Sequence, residues 1–349
     1  MTTLSTYPIP SPVFDHLDRL SDERGLFEHA VHALPRPEHG YCVDDVARGL
    51  VVVCREPSPS SAVRRLSRRY LDFVLEALAP AGSCHNRMDV TGEWRDEPGH
   101  GDWWGRAVWG LGVAAIRADT PGMRARAMAG FRVAAQQRSP HLRAMAFAAL
   151  GAAAVLTERP DELTAMDLLR DALGRIDTTR TDAEWPWPEP RLSYGNGSVA
   201  EAVIVAGHLL GDAAALRSGL LMLAFLLRTE TRDGHFSVTP VGGRGEGDAS
   251  PVFDQQPIEV AALADACATA YRVTGETRWL IAVQLAWRWF LGDNDSGVPM
   301  FDPITGGGYD GLEPEGCNLN QGAESTLAML SVAQHARRIE AVPGRGVPR

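Results

Sequence analysis

The chain has 349 residues, is 45% apolar and 22% charged, and carries a formal charge of −10. These figures exclude a disordered chain and leave no basic footprint for a nucleic acid. All 34 basic residues are arginine, which rules out lysine Schiff-base chemistry and a Walker-type phosphate loop.

Residues 14–34 open the chain as an amphipathic, charge-bearing segment, read here as a helix. Residues 41–53, "YCVDDVARGLVVV", then run from a polar start into a broad apolar stretch. The same change recurs at 101–116, 139–156, 194–210, 253–275 and 319–336, each time rich in alanine or glycine. Between these lie segments with one charged face: 61–79, 123–138, 161–176, 213–229 and 277–293. Broad apolar faces suit buried inner helices, and one-sided charge suits an outer ring with a wet face. Twelve alternating helices with hardly any period-2 pattern predict an all-α (α/α)6 toroid, one domain over 1–349 with an ordered core at about 12–336. An open helical solenoid is the alternative.

No window is apolar enough for a membrane span, and the N-terminus lacks a signal-peptide pattern. Five unevenly spaced cysteines then favour a cytoplasmic protein over a disulfide framework.

In a toroid every inner helix begins at the same end, so the loops entering them line one cavity. The long ones are 82–103, 181–197, 232–256 and 302–322. The helix starts supply Asp44, Asp45, Asp102, Trp103, Trp104, Arg106, His141, Arg143, Asn196 and Glu201. Further along come Asp254, Gln255, Gln256, Glu259, Asn320, Gln321 and Glu324. Loop positions add His39, Tyr41, His85, Asn86, Trp94, Trp185, Trp187, Glu189, Tyr194, Tyr309 and Asp310. Carboxylates and amides bind hydroxyls, and indole stacks on sugar rings, so the set fits a carbohydrate better than a phosphate. Taken singly, an acid at a helix start is more often a cap or a partner of the helix dipole. Glu201, Glu259 and Glu324 lie four or five residues past a loop-ending polar group among apolar neighbours, a recurrence that favours the cavity.

The phrases "HGYCVDDVARGL", "GRAVWGLG", "FDQQPIEVAALADA" and "NLNQGAESTLA" resemble a bacterial family of six-hairpin proteins over nearly the whole chain. Members are often labelled glycosyltransferases or found near carbohydrate genes. The resemblance implies the toroid and a glycan context. The transferase label fits poorly, because nucleotide-sugar transferases use a doubly wound sheet and no βαβ pattern occurs here. More distantly the chain is similar to six-hairpin glycosidases, some of which place adjacent aspartates on an inner helix as the catalytic pair.

That local match makes Asp44 and Asp45 the candidate catalytic residues of a glycoside hydrolase. They form either a close retaining pair, or one of them, Asp45, works with Glu324 or Asp102 across an inverting gap. Arg48, one turn after Asp44, would hold Asp44 charged and leave Asp45 protonated. An epimerase or isomerase using His39, His85, His141 or His235 is the first alternative. Zinc at Cys84, His85 and Cys317 is the second, and a non-catalytic glycan-binding toroid the third. The expectation is a carbohydrate substrate with no metal, cofactor, nucleic acid or membrane, and Arg106 and Arg143 would suit an acidic sugar.

Overall fold

The computed structural model describes residues 11–179 and 184–340. Twelve helices appear among these residues in the expected alternation. The inner ones are α2 (Val43–Arg55), α4 (Asp102–Arg117), α6 (Leu142–Glu158), α8 (Asn196–Leu209), α10 (Pro257–Thr274) and α12 (Ala323–Glu340). The outer ones are α1 (Asp15–Arg19), α3 (Ser61–Glu76), α5 (Pro121–Ala134), α7 (Leu163–Arg175), α9 (Ala213–Thr229) and α11 (Thr277–Phe290). Each inner helix packs on the next, and α12 returns to α2. That return closes the ring and makes the fold an (α/α)6 toroid rather than a solenoid.

Sequence explains which helix goes where. In α6 burial runs all the way round, from Arg143 to Leu156, because its faces carry alanine, methionine, phenylalanine and leucine. In α7 only Ala165, Leu168, Leu169 and Ala172 are buried, one helical stripe with charge elsewhere. Glycine lets the inner ring draw together: a Cβ on Gly112 of α4 would stand 2.3 Å from the carbonyl oxygen of Gly151 on α6. One continuous apolar cluster fills the space between the rings.

The N-terminal segment departs from expectation. Only α1 is helical there. The Asp22 carboxylate then accepts from the Arg24 and Gly25 amides at 2.8 and 3.0 Å, turning the chain into a short antiparallel pairing of 30–31 with 34–35. The other strands are two- and three-residue pairs in the loops, such as Tyr41–Cys42 with Arg87–Met88. Among the described residues no helix is long and apolar enough to cross a membrane.

The outer helices α3, α5 and α9 are capped by Ser60, Thr120 and Asp212. The inner helices α2, α4, α6, α8 and α10 have no such side-chain cap from their own N-cap residue. Asp44 and Asp45 sit inside the first turn of α2, past the N-cap Cys42, so capping does not account for them.

Candidate active site

The starts of the inner helices and the loops that enter them surround a cavity of about 1230 Å³. All four long loops reach it, the second through Glu189 and Tyr194; residues 180–183 lie outside the described part. The pairing of 41–42 with 87–88, and the 2.9 Å bond from the Val43 amide to the Asn86 carbonyl, fix where α2 begins.

Adjacent residues on a helix point about 100° apart, and the two aspartates accordingly meet different neighbours. Asp44 turns toward α4 and meets Arg106 at 2.8 Å. Arg106 is buried and lies 3.9 Å over the Phe147 ring. Arg48, also buried, pairs with Asp44, with Asp45 at 3.2 Å and with Glu324 of α12 at 2.6 Å. One oxygen from each of the three carboxylates lies within 4.8 Å of the others.

The shared environment separates their protonation. Burial alone would raise the Asp44 carboxyl, but the Arg106 and Arg48 guanidiniums outweigh it and hold Asp44 below the usual range. Burial also raises Asp45; Arg48 opposes this, while Glu324 and Asp44 add repulsion, and the group is pushed up to about 8. A neutral acid, Asp45, thus stands beside a charged one, Asp44, on the cavity floor.

A second wall comes from α6 and the loop before α8. Arg143 donates to Glu189 at 3.0 Å, to the Asn196 side chain at 3.2 Å and to the Tyr194 carbonyl. Its guanidinium lies 4.9 Å over the Tyr194 ring, whose hydroxyl donates to Asp102. The third wall carries Asp254, Gln256, Asp310 and Asn318. Asp310 accepts from the Gly322 amide and the Ser325 hydroxyl, both at 2.9 Å, and so caps the start of α12.

Of the expected site residues, Asp44, Asp45, Asn86, Asp102, Trp103, His141, Arg143, Glu189, Tyr194, Asp254, Gln256, Asp310 and Glu324 line the cavity. The others are elsewhere, for identifiable reasons. His39 sits exposed in a 3-10 turn against the edge of His29. Tyr41 is buried, donating to Asp22 at 2.6 Å and stacked on Phe27. Trp104 and Trp187 are fully buried in the core. Arg106 lies behind Asp44. Asn196 receives Arg143 and the Ser193 amide. Gln255 ties Val238 to Asp295. Asn320 and Gln321 hold the turn at His32, and Tyr309 packs on the core.

The two remaining glutamates need separate correction. Glu259 is buried and accepts from the Gly195 and Asn196 amides at 2.5 and 3.3 Å, capping α8 from the neighbouring helix. Burial raises it, those bonds oppose the rise, and it settles at about 7. Glu201 lies a turn and a half along α8, buried, and accepts from Thr269 at 2.6 Å.

Several cavity residues were not anticipated: Glu28, His29, Arg87, His100 and Asn318. Glu28 and His29 were hidden in a stretch whose pattern reads as helix. The histidines His85 and His235 do not line the cavity. His85 stacks on Trp94, and His235 pairs with Asp295 at 3.0 Å.

Two groups have the spacing of metal ligands, Asp44–Asp45–Glu324 and Glu28–Cys42–Asp45. Each already holds a guanidinium, Arg48 in the first and Arg87 on Glu28 in the second, where a cation would have to sit. Cys84, His85 and Cys317 form no such group among the described residues. Cys84 is buried and Cys317 is paired across a hairpin with Leu312. The cavity lining carries eight carboxylates against three arginines. With Arg106 and Arg143 both committed to internal partners, this lining does not favour an acidic sugar.

No protein-family profile matches the sequence, and neither does any curated protein. Solved structures do match. A cellobiose 2-epimerase from Bacillus thermoamylovorans aligns with a TM-score of 0.70 at 11% identity, over 92% of this chain and 95% of that one. A D-mannose isomerase aligns at 0.67 and 8% identity, over 93% and 95%. The cellulase Cel9M of C. cellulolyticum, in complex with cellobiose, aligns at 0.65 and 8% identity, over 91% and 88%. What this chain shares with the epimerase, the isomerase and the cellulase is the (α/α)6 toroid.

Proposed function

We propose that the protein is a carbohydrate-active enzyme, a glycoside hydrolase in which Asp45 is the general acid and Glu324 the nucleophile. The observation that carries this reading is the meeting of Asp45 and Glu324 at Arg48, with carboxylate oxygens within 4.8 Å, on the floor of a large polar cavity. Carboxyl groups about 5 Å apart suit a retaining mechanism; an inverting one needs room for a water between them.

The chemistry follows from the two environments. Neutral Asp45 gives its proton to the glycosidic oxygen as that bond breaks, and the Glu324 carboxylate takes the anomeric carbon. Asp45, now charged, removes a proton from water, which attacks the same carbon and releases Glu324. Asp44 is fixed between two guanidiniums that hold it charged, and its role is to keep Arg48 and Arg106 in place. Trp103, anchored by its indole N–H to the Cys84 carbonyl at 2.7 Å, offers a face for a sugar ring.

The carbohydrate substrate rests on the cavity's carboxylates, amides and indole, and on the sugar-directed activities of the epimerase, isomerase and cellulase that share the fold. Mass spectrometry against a broad oligosaccharide panel tests it. Cleavage by the wild type, lost in Asp45→Asn and in Glu324→Gln, supports the hydrolase. A second reading has its own observation: His29, His100 and His141 all line the cavity, as proton abstraction by an epimerase would need. A mass-neutral product that disappears in the histidine variants would favour it.

A further inference from the structure

Glu28 stands where the first and last inner helices meet. Phe27 bridges to Tyr41 in antiparallel register and stacks on its ring at 5.0 Å, which lays the next residue against the start of α2. The Glu28 carbonyl accepts from the Ala323 amide at 3.1 Å, one residue before Glu324. Its backbone is therefore tied both to the strand that enters α2 and to the first turn of α12.

The side chain is held as well. Its carboxylate pairs with Arg87, which is placed by the pairing of 41–42 with 87–88 and by the 2.9 Å bond from its amide to Asp96. A carboxylate oxygen of Glu28, the Cys42 sulfur and a carboxylate oxygen of Asp45 lie within 4.8 Å of one another. The Cys42 thiol donates to Asn86 at 3.3 Å, and burial pushes it up, so it stays neutral beside the two acids. Asp45 accordingly faces Asp44 and Arg48 from its own helix, Glu324 from α12, Cys42 from the strand before α2, and Glu28 with its partner Arg87. Three carboxylates surround it, and Arg48, the one guanidinium in contact, is shared with Asp44 and Glu324. A like charge at this distance favours the neutral form of a buried acid.

We propose that Glu28 is a positioning residue of the acid pair, its arginine-held carboxylate keeping Asp45 in the protonated form that donates to the leaving oxygen. The part played by Asp45 as an acid rests on the hydrolase reading. The effect of Glu28 on its protonation does not.

Carbon-13 NMR of protein labelled at the aspartate carboxyl carbon reads this directly, with the Asp45 signal assigned by its loss in Asp45→Asn. Glu28→Gln removes the charge and keeps the carbonyl and the size of the side chain. It should move the Asp45 titration to lower pH by at least about half a pH unit, the effect of one charge at about 5 Å even in water. Arg87→Gln leaves the Glu28 charge without its partner and should move the same titration to higher pH. Opposite shifts are the mark of charge, because water let in by loosened packing would lower Asp45 in both variants. An unmoved Asp45 in Glu28→Gln, or a downward shift in both, overturns the proposal. Should Glu28→Gln fail to fold, Arg87→Gln decides alone, and an Asp45 unmoved or lowered there overturns it too. Under the hydrolase reading, the alkaline limb of kcat/KM moves with the NMR titration. Full turnover by Asp45→Asn would end that reading and leave the NMR result standing.

Discussion

Asp45 and Glu324 come from the first and last inner helices and meet on one guanidinium, Arg48, at 3.2 and 2.6 Å. Closure of the ring is what makes this contact, since α12 reaches α2 only when all six hairpins are in place. If the pair is acid and nucleophile, Asp45→Asn and Glu324→Gln each lower kcat by roughly 10²- to 10⁴-fold. In Glu324→Gly, added azide would replace the missing nucleophile and restore turnover of an activated glycoside. NMR of the first product formed by the wild type would show the anomeric configuration retained. Inversion would move the nucleophile's role to a water and end the case for Glu324.

The pH profile follows from Asp45. Burial is the main cause of its rise to about 8, and a general acid works only while protonated. The expected kcat/KM therefore falls as pH rises through about 8. Arg48 pulls in the opposite direction, favouring the charged form of Asp45. Arg48→Gln should lower the rate and also move this alkaline limb to higher pH. A limb that stays in place while the rate falls would make Arg48 structural only.

The ring and its working end were readable from pattern, because burial on all sides and burial on one side leave different residue spacings. Asp44, Asp45, Asp102 and Glu324 were found by their place just inside helix starts. The same rule misplaced Glu259 and Glu201. A glutamate near a helix start can turn sideways to the amides of the next helix, as Glu259 does, and period alone does not tell the two directions apart. Glu28 and His29 were lost for another reason: "LFEHAVHAL" has helical spacing, and the turn that Asp22 and Gly25 make before it breaks the helix. Pairing across the ring, such as Arg48 with Glu324, has no local signature at all.

Close packing of α4 on α6 gives a stability test with an internal control. The Cβ of Gly112→Ala would lie 2.3 Å from a backbone oxygen, which neither helix can relieve by rotating a side chain. A cost of about 1–3 kcal/mol is expected by urea denaturation, in line with overpacking. Gly174, near the end of outer helix α7, has nothing within 4 Å of its would-be Cβ. Gly174→Ala should stabilise by about 0.5–1 kcal/mol, the usual gain in a helix. Equal effects at the two sites would mean the inner helices are not held as tightly as described.

Glu230 connects the buried carboxyls to stability. It is fully buried and accepts from Thr239 at 2.5 Å. Burial raises it, Glu259 adds repulsion, Thr239 and Arg244 oppose, and the group reaches about 8. In the unfolded chain a glutamate titrates near 4.3, so between about 4.3 and 8 the folded state holds a proton that the unfolded state has lost. Stability from this group is complete below pH ~4.3 and declines as pH rises through the folded value, by about 1.4 kcal/mol per unit. Glu230→Gln keeps an acceptor for Thr239 and removes the proton linkage. Relative to wild type it should gain roughly 2–4 kcal/mol at pH 7.5 and little at pH 5. Denaturation at both pH values measures the difference directly. A gain of the same size at pH 5 and pH 7.5 would show that Glu230 carries no extra proton in the folded protein.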